Sequence, residues 1–261
     1  MKGNDKIAFT AEAVALMRAK QNTDRFSHYF VSPQTERRYK HISWIVPSAY
    51  LNKIFQRRIA LSHDLDKLVK AYNPEQVIEL ACGYSPRGLL MTQRNPNLVY
   101  VETDFPTVVE RKRRILEEIE SAEGIVLSKN HHLVEIDAID VDLSSSLRGL
   151  IDRKKRTLVI AETLTSYLNP SEHNFLIRNI EKLLDKVDEG AYLSHEGKGM
   201  LPGFFGRVLL FYRDKISKTR SHKHFANPQE IEDFFKGRGA KKVKVVDSEQ
   251  SNNTLYLITR K

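Results

Sequence analysis

A single cysteine, Cys82, stands in 261 residues, which excludes an internal disulfide and fits a reducing compartment such as the cytoplasm. Its place in a short-residue turn suits a small packing side chain better than a nucleophile. No apolar run approaches the roughly 20 residues of a membrane-spanning helix. The opening MKGNDKIAFTAEAV lacks the apolar stretch of a signal peptide, so neither a membrane nor a secretory destination is expected. There is no internal repeat and no low-complexity tract. The pair His131 and His132, and His222 with His224, lack further ligands at metal-site spacing, so no metal site is expected.

What is present is ordinary for a globular protein: 41% hydrophobic and 29% charged residues. The length suits one α/β domain with an appended cap, or at most two small domains. The formal charge is +9, with basic clusters at 37–40, 57–58, 111–114, 153–156, 215–223 and 236–244. Such a surface favours an anionic substrate, a nucleic acid or an acidic membrane. The clusters are scattered and form no RNA-binding motif, so a solvated surface is the plainer reading and nucleic acid is not the favoured partner. Nothing in the chain fixes an oligomeric state.

Residues 1–75 read as helical, a candidate cap or lid. Thr10 is expected to cap a helix over 11–20, and apolar spacing predicts a second helix across 46–72, stopped by Asn73-Pro74. From residue 76 to 261 the pattern is that of a second unit, alternating strand and helix. Strands are expected at 77–81, 98–101, 132–136, 157–161 and 191–195, and helices at 87–94, 105–122, from 169–172 to about 187, and at 228–236. Short apolar runs separated by helices imply a parallel sheet covered on both faces. The last two runs, 242–247 and 254–259, are too close for a crossover helix and must pair antiparallel. A Rossmann-like, mostly parallel seven-stranded sheet closed by an antiparallel hairpin is the class I methyltransferase variation on the doubly wound theme; a dehydrogenase would continue with a parallel strand.

The most informative stretch is QVIELACGYSPRGLLMTQRNPNLVYVETD, residues 76–104. A strand runs into a turn with Gly83 and Gly88, a helix follows, and a second strand ends in Glu102 and Asp104. This is the layout of a nucleotide-binding unit: small residues let backbone N–H groups approach the ligand, and an acid about 20 residues on accepts ribose hydroxyls.

Four segments carry a family likeness: TAEAVALMRA (10–19), VIELACGYSPRG (77–88), YVETDFPTVVERKR (100–113) and LVIAETLTSYL (158–168). On these the chain resembles the leucine carboxyl methyltransferase family of S-adenosylmethionine-dependent O-methyltransferases. It departs from the family loop at Ala81, where a glycine is usual, and at Ser85, where an aspartate is usual. The resemblance implies S-adenosylmethionine as cofactor, with Asp104 on its ribose, Arg18 and either Arg57 or Arg58 (Arg58 preferred) on its carboxylate, and Ala81 and Gly83 in the loop. It implies Asp137 with Ala138 near the adenine, Asp140 and Asp142 being rivals, and Glu162 near the amino group. Glu102 is a weaker contact. Tyr167 is a candidate wall of the transfer site and His195 a candidate base, alternatively a structural histidine. The acceptor implied is a carboxylate or hydroxyl of a small molecule; a modified transfer RNA, and a non-catalytic cofactor-binding role, are the alternatives.

Overall fold

A computed structural model describes residues 4–198, 204–207, 209 and 222–260, residues 4–9 by their backbone alone. Most of the expected basic cluster at 215–223 lies outside the described residues. Three helices come first: α1 (Asn4–Lys20), α2 (Pro33–Ile45) and α3 (Ser48–Tyr72), with a 3-10 turn at Ser27–Phe30. The alternating region follows as β1 (Gln76–Leu80), α4 (Arg87–Arg94), β2 (Val99–Asp104), α5 (Pro106–Glu123), β3 (His131–Glu135), α6 (Leu143–Ser146) and β4 (Thr157–Ala161). Then come α7 (Pro170–Leu184), β5 (Gly190–Gly197), α8 (Pro228–Lys236), β6 (Lys242–Ser248) and β7 (Asn253–Thr259).

The seven strands lie in the order β3-β2-β1-β4-β5-β7-β6. Five run parallel, and β7 pairs antiparallel with both β5 and β6. The fold is thus the expected α/β sheet with a terminal antiparallel hairpin. Period-two alternation divides each central strand between two cores. Val159 of β4 packs with Leu176, Ile177 and Ile180 of α7, whereas Leu158 and Ile160 pack with Leu61, Leu65 and Val69 of α3. The helix α3 therefore shares a core with the sheet. A third cluster joins Ala15 of α1 to Val108, Leu116 and Ile119 of α5.

Local chemistry explains most boundaries. Asn169 and Glu172 form a capping box that starts α7, and Pro106 sits where its missing N–H costs nothing. Asn73 ends α3 in the left-handed conformation. Two expectations need correcting. Thr10 is not a cap: α1 begins at Asn4, because neither glycine nor proline interrupts the chain from there to Lys20. The second strand continues past residue 101 to Asp104, since Thr103 and Asp104 still find parallel partners in Leu80 and Glu135.

Candidate functional site

At the carboxyl rim of the sheet the turn after β1 must reverse sharply. Ala81 and Gly83 both adopt positive φ, 52° and 53°. Gly83 also has no room for a side chain, because a Cβ there would lie 2.9 Å from the Cβ of Ala11 on α1. Ala81 bears the steric cost of about 1–2 kcal/mol that a glycine would avoid. Gly88 does a different job. It lies inside α4, where a Cβ would strike His131 Nε2 and Glu102 Oε1, so its bareness lets the helix settle onto β2 and β3.

The turn opens onto a cavity. Arg18, Arg58, Ala81, Gly83, Asp104, Asp137, Ala138, Glu162 and Tyr167 all line it, joined by Glu79, Tyr84, Thr163 and Glu172. Asp104 ends β2 with Oδ2 accepting from Gly83 N–H at 2.7 Å and Oδ1 from Phe105 N–H at 2.8 Å. Each oxygen keeps a lone pair for a further donor. Burial pushes this carboxyl upward against the opposing pull of the two amides and of Lys112. Asp137 also lines the cavity and is likewise raised by burial, whereas Asp142 is spent as the N-cap of α6.

The opposite end carries paired charges. Arg58 Nη2 lies 2.9 Å from Glu162 Oε1 and donates to Thr163 Oγ1 at 2.7 Å. Arg18 stands 3.9 Å from the same carboxylate oxygen and donates to Ser62 Oγ at 2.9 Å. Burial would raise Glu162, but the guanidinium groups of Arg87, Arg58 and Arg18 outweigh it and hold the carboxyl well below its usual range. Among the described residues, two buried atoms here lack a hydrogen bond: Arg58 Nε, a donor, and Glu162 Oε1, an acceptor that is ion-paired with Arg58. Such orphans are costly unless a ligand serves them.

Two expected contacts lie elsewhere. Glu102 is wholly buried away from the cavity, 2.9 Å from Lys112 Nζ and 3.1 Å from His131 Nε2. Lys112 hangs from α5, and nothing in the β2 pattern announced it. His195 stands behind the wall. Its Nε2 accepts from Thr163 N–H at 3.0 Å, so the hydrogen network assigns its proton to Nδ1, which faces Asn253 Oδ1 at 3.1 Å. Burial, then Arg58, depress it to about 4. With both nitrogens engaged and no place on the cavity wall, His195 positions Thr163 and is not set to take a proton from a ligand there. Thr163 escaped the sequence reading; its φ of 70°, unusual for a β-branched residue, has no local signal.

This sheet, with its ligand-sized rim cavity and closing hairpin, has the class I methyltransferase fold. Solved structures agree on the fold: a DUF574-family protein from Streptomyces avermitilis (TM-score 0.57, 12% identity, 88% of this chain and 92% of that one) and an O-methyltransferase family protein from Burkholderia thailandensis (TM-score 0.53, 17% identity, 80% and 58%). The leucine carboxyl methyltransferase family matches residues 8–181, and the chain belongs to that family. Leucine carboxyl methyltransferase 1 of Eremothecium gossypii is 26% identical over 175 residues, 59% of this chain and 52% of the relative; the chain thus spans about half the length of that protein.

Proposed function

We propose that the chain binds S-adenosylmethionine in the rim cavity and catalyses O-methylation of a small-molecule carboxylate or hydroxyl, the carboxylate being preferred. The observation that carries this reading is the meeting of Arg18, Arg58 and Glu162 in the wall of a cavity that also offers Asp104 and Asp137. An α-amino acid zwitterion would match these charges, its carboxylate toward Arg58 and Arg18 and its ammonium toward Glu162. Asp104 would hold two ribose hydroxyls, and Asp137 with Ala138 would flank the base.

When bound, S-adenosylmethionine supplies a methyl group activated by a sulfonium. This chain's part is to place and to shield. Tyr167, Leu164 and Leu168 line the cavity near Glu162 and would help exclude water from the space between donor and acceptor. A carboxylate acceptor is ionised at neutral pH, since its pKa is about 4, and needs no base. The commitment of both His195 nitrogens supports that choice over a hydroxyl acceptor.

Calorimetry with S-adenosylhomocysteine tests the site. The unsubstituted protein should bind saturably, and Asp104→Ala should weaken binding by about ten- to a hundredfold, the worth of charge-assisted hydrogen bonds. Equal affinities would sink the assignment. Transfer of labelled methyl from the donor then tests the acceptor: a carboxyl ester releases methanol in mild alkali, and an ether does not.

A further inference from the structure

Arg87 lies outside the cavity wall, yet the charged walls converge on it. It is the first residue of α4 and is 5% exposed. Its Nε donates to Asp66 of α3 at 3.0 Å, and its Nη1 donates to Glu79 of β1. Its Nη2 donates to Glu162 beyond β4 and to Ser62 Oγ of α3, the latter at 3.1 Å. Ser62 Oγ is the same oxygen that accepts from Arg18. One hydroxyl thus sits between two guanidinium groups that repel each other, with Glu162 as their common counter-charge. Glu79 is braced on its far side by Tyr100 Oη at 2.7 Å. A planar fork of five donors can serve acceptors in several directions at once, which an ammonium cannot.

We propose that Arg87 is a positioning residue for the amino-acid end of the ligand, fixing Glu162 directly and Arg18 through the Ser62 hydroxyl. This rests on the methyl-donor reading above. It differs from a merely structural ion cluster in what it predicts. A cluster that only ties α3 and α4 to the sheet would, when weakened, impair the whole cavity. A positioning residue impairs the end that it sets and leaves the nucleoside end alone.

The test compares two ligands on the full chain: S-adenosylhomocysteine, and 5′-methylthioadenosine, which keeps the nucleoside thioether but has no amino-acid carbons. By calorimetry, Arg87→Lys should weaken S-adenosylhomocysteine by about ten- to a hundredfold while methylthioadenosine changes by less than about twofold. Ser62→Ala removes one hydroxyl and no charge. It should shift affinity in the same selective direction by a smaller factor, and it keeps the test open if Arg87→Lys does not fold. Equal losses for both ligands, or unchanged S-adenosylhomocysteine affinity, overturn the proposal. A selective loss in Arg87→Lys with none in Ser62→Ala overturns the link to Arg18. If the unsubstituted protein binds neither ligand, the methyl-donor reading falls instead.

Discussion

Thr163 is held in a conformation that threonine avoids, and two partners hold it there: the imidazole of His195 on its amide and the guanidinium of Arg58 on its hydroxyl. This gives His195 a pH signature. Its folded pKa, about 4, lies below the ordinary 6.5, so the native imidazole is neutral. Above 6.5 neither folded nor unfolded chain takes the proton, and nothing is lost. As pH falls from 6.5 to about 4 the unfolded chain protonates first, and stability drops by up to about 3 kcal/mol. In His195→Gln, whose amide can accept from Thr163 and donate to Asn253, urea midpoints should fall less steeply over that window. Some slope should persist from His173, which burial depresses to about 3. An identical slope in both proteins would refute the neutral assignment. The residue scale also marks where sequence reading stops. Arg58 sits on a helix whose period dictates its orientation, and Glu162 follows the last residue of β4 at the rim where an α/β sheet binds its ligands. The partner that engages His195, Asn253, lies 58 positions away, and no local pattern points to it.

At the scale of elements, α1 supplies Thr10, Ala11, Val14 and Arg18 to the cavity, so its docking matters to the ligand. Its fastening is Glu12, which accepts from Ser32 and Thr35 at the start of α2 and is paired with Arg111 of α5. Burial would raise this carboxyl, but Arg111 and the two hydroxyls hold it below its usual value. Glu12→Gln should weaken the fastening by about 2 kcal/mol. Amide exchange over residues 10–20 should quicken, and S-adenosylhomocysteine affinity should fall with it as Arg18 loses its seat. Unchanged exchange in α1 would show that the apolar contacts of Ala15 suffice. The elements themselves were legible where caps and breakers are local: α4, β4 and α8 fall at the residues that their patterns mark. The early start of α1 and the long β2 were not, because strand pairing and an uninterrupted helix extend elements past the last apolar residue.

For the whole molecule, the helical residues before β1 and the sheet share packing. Leu61, Leu65, Leu68 and Val69 of α3 lie in one cluster with Val77, Leu158, Leu193 and Leu255. A fragment comprising residues 76–261 would expose that face of the sheet and lose both cavity arginines. Circular dichroism with urea should show no cooperative transition for the fragment and a single one for the full chain; a cooperative fragment would establish the sheet as self-sufficient. The net charge of +9 belongs to this scale as well. It is a sum over the whole chain, while the cavity wall sets Arg18 and Arg58 against Glu79, Asp104, Asp137, Glu162 and Glu172. Composition reports the first and is silent on the second.

The order of strands has a consequence for how the molecule is made. The latest of the described strands in sequence, β7, does not lie at the margin; it is wedged between β5 and β6. Until residues 253–259 have emerged from the ribosome, β5 shows a bare backbone edge and β6 has no neighbour to join. The nascent protein must wait with its keystone unplaced, and a chain cut before residue 253 would leave the arch open.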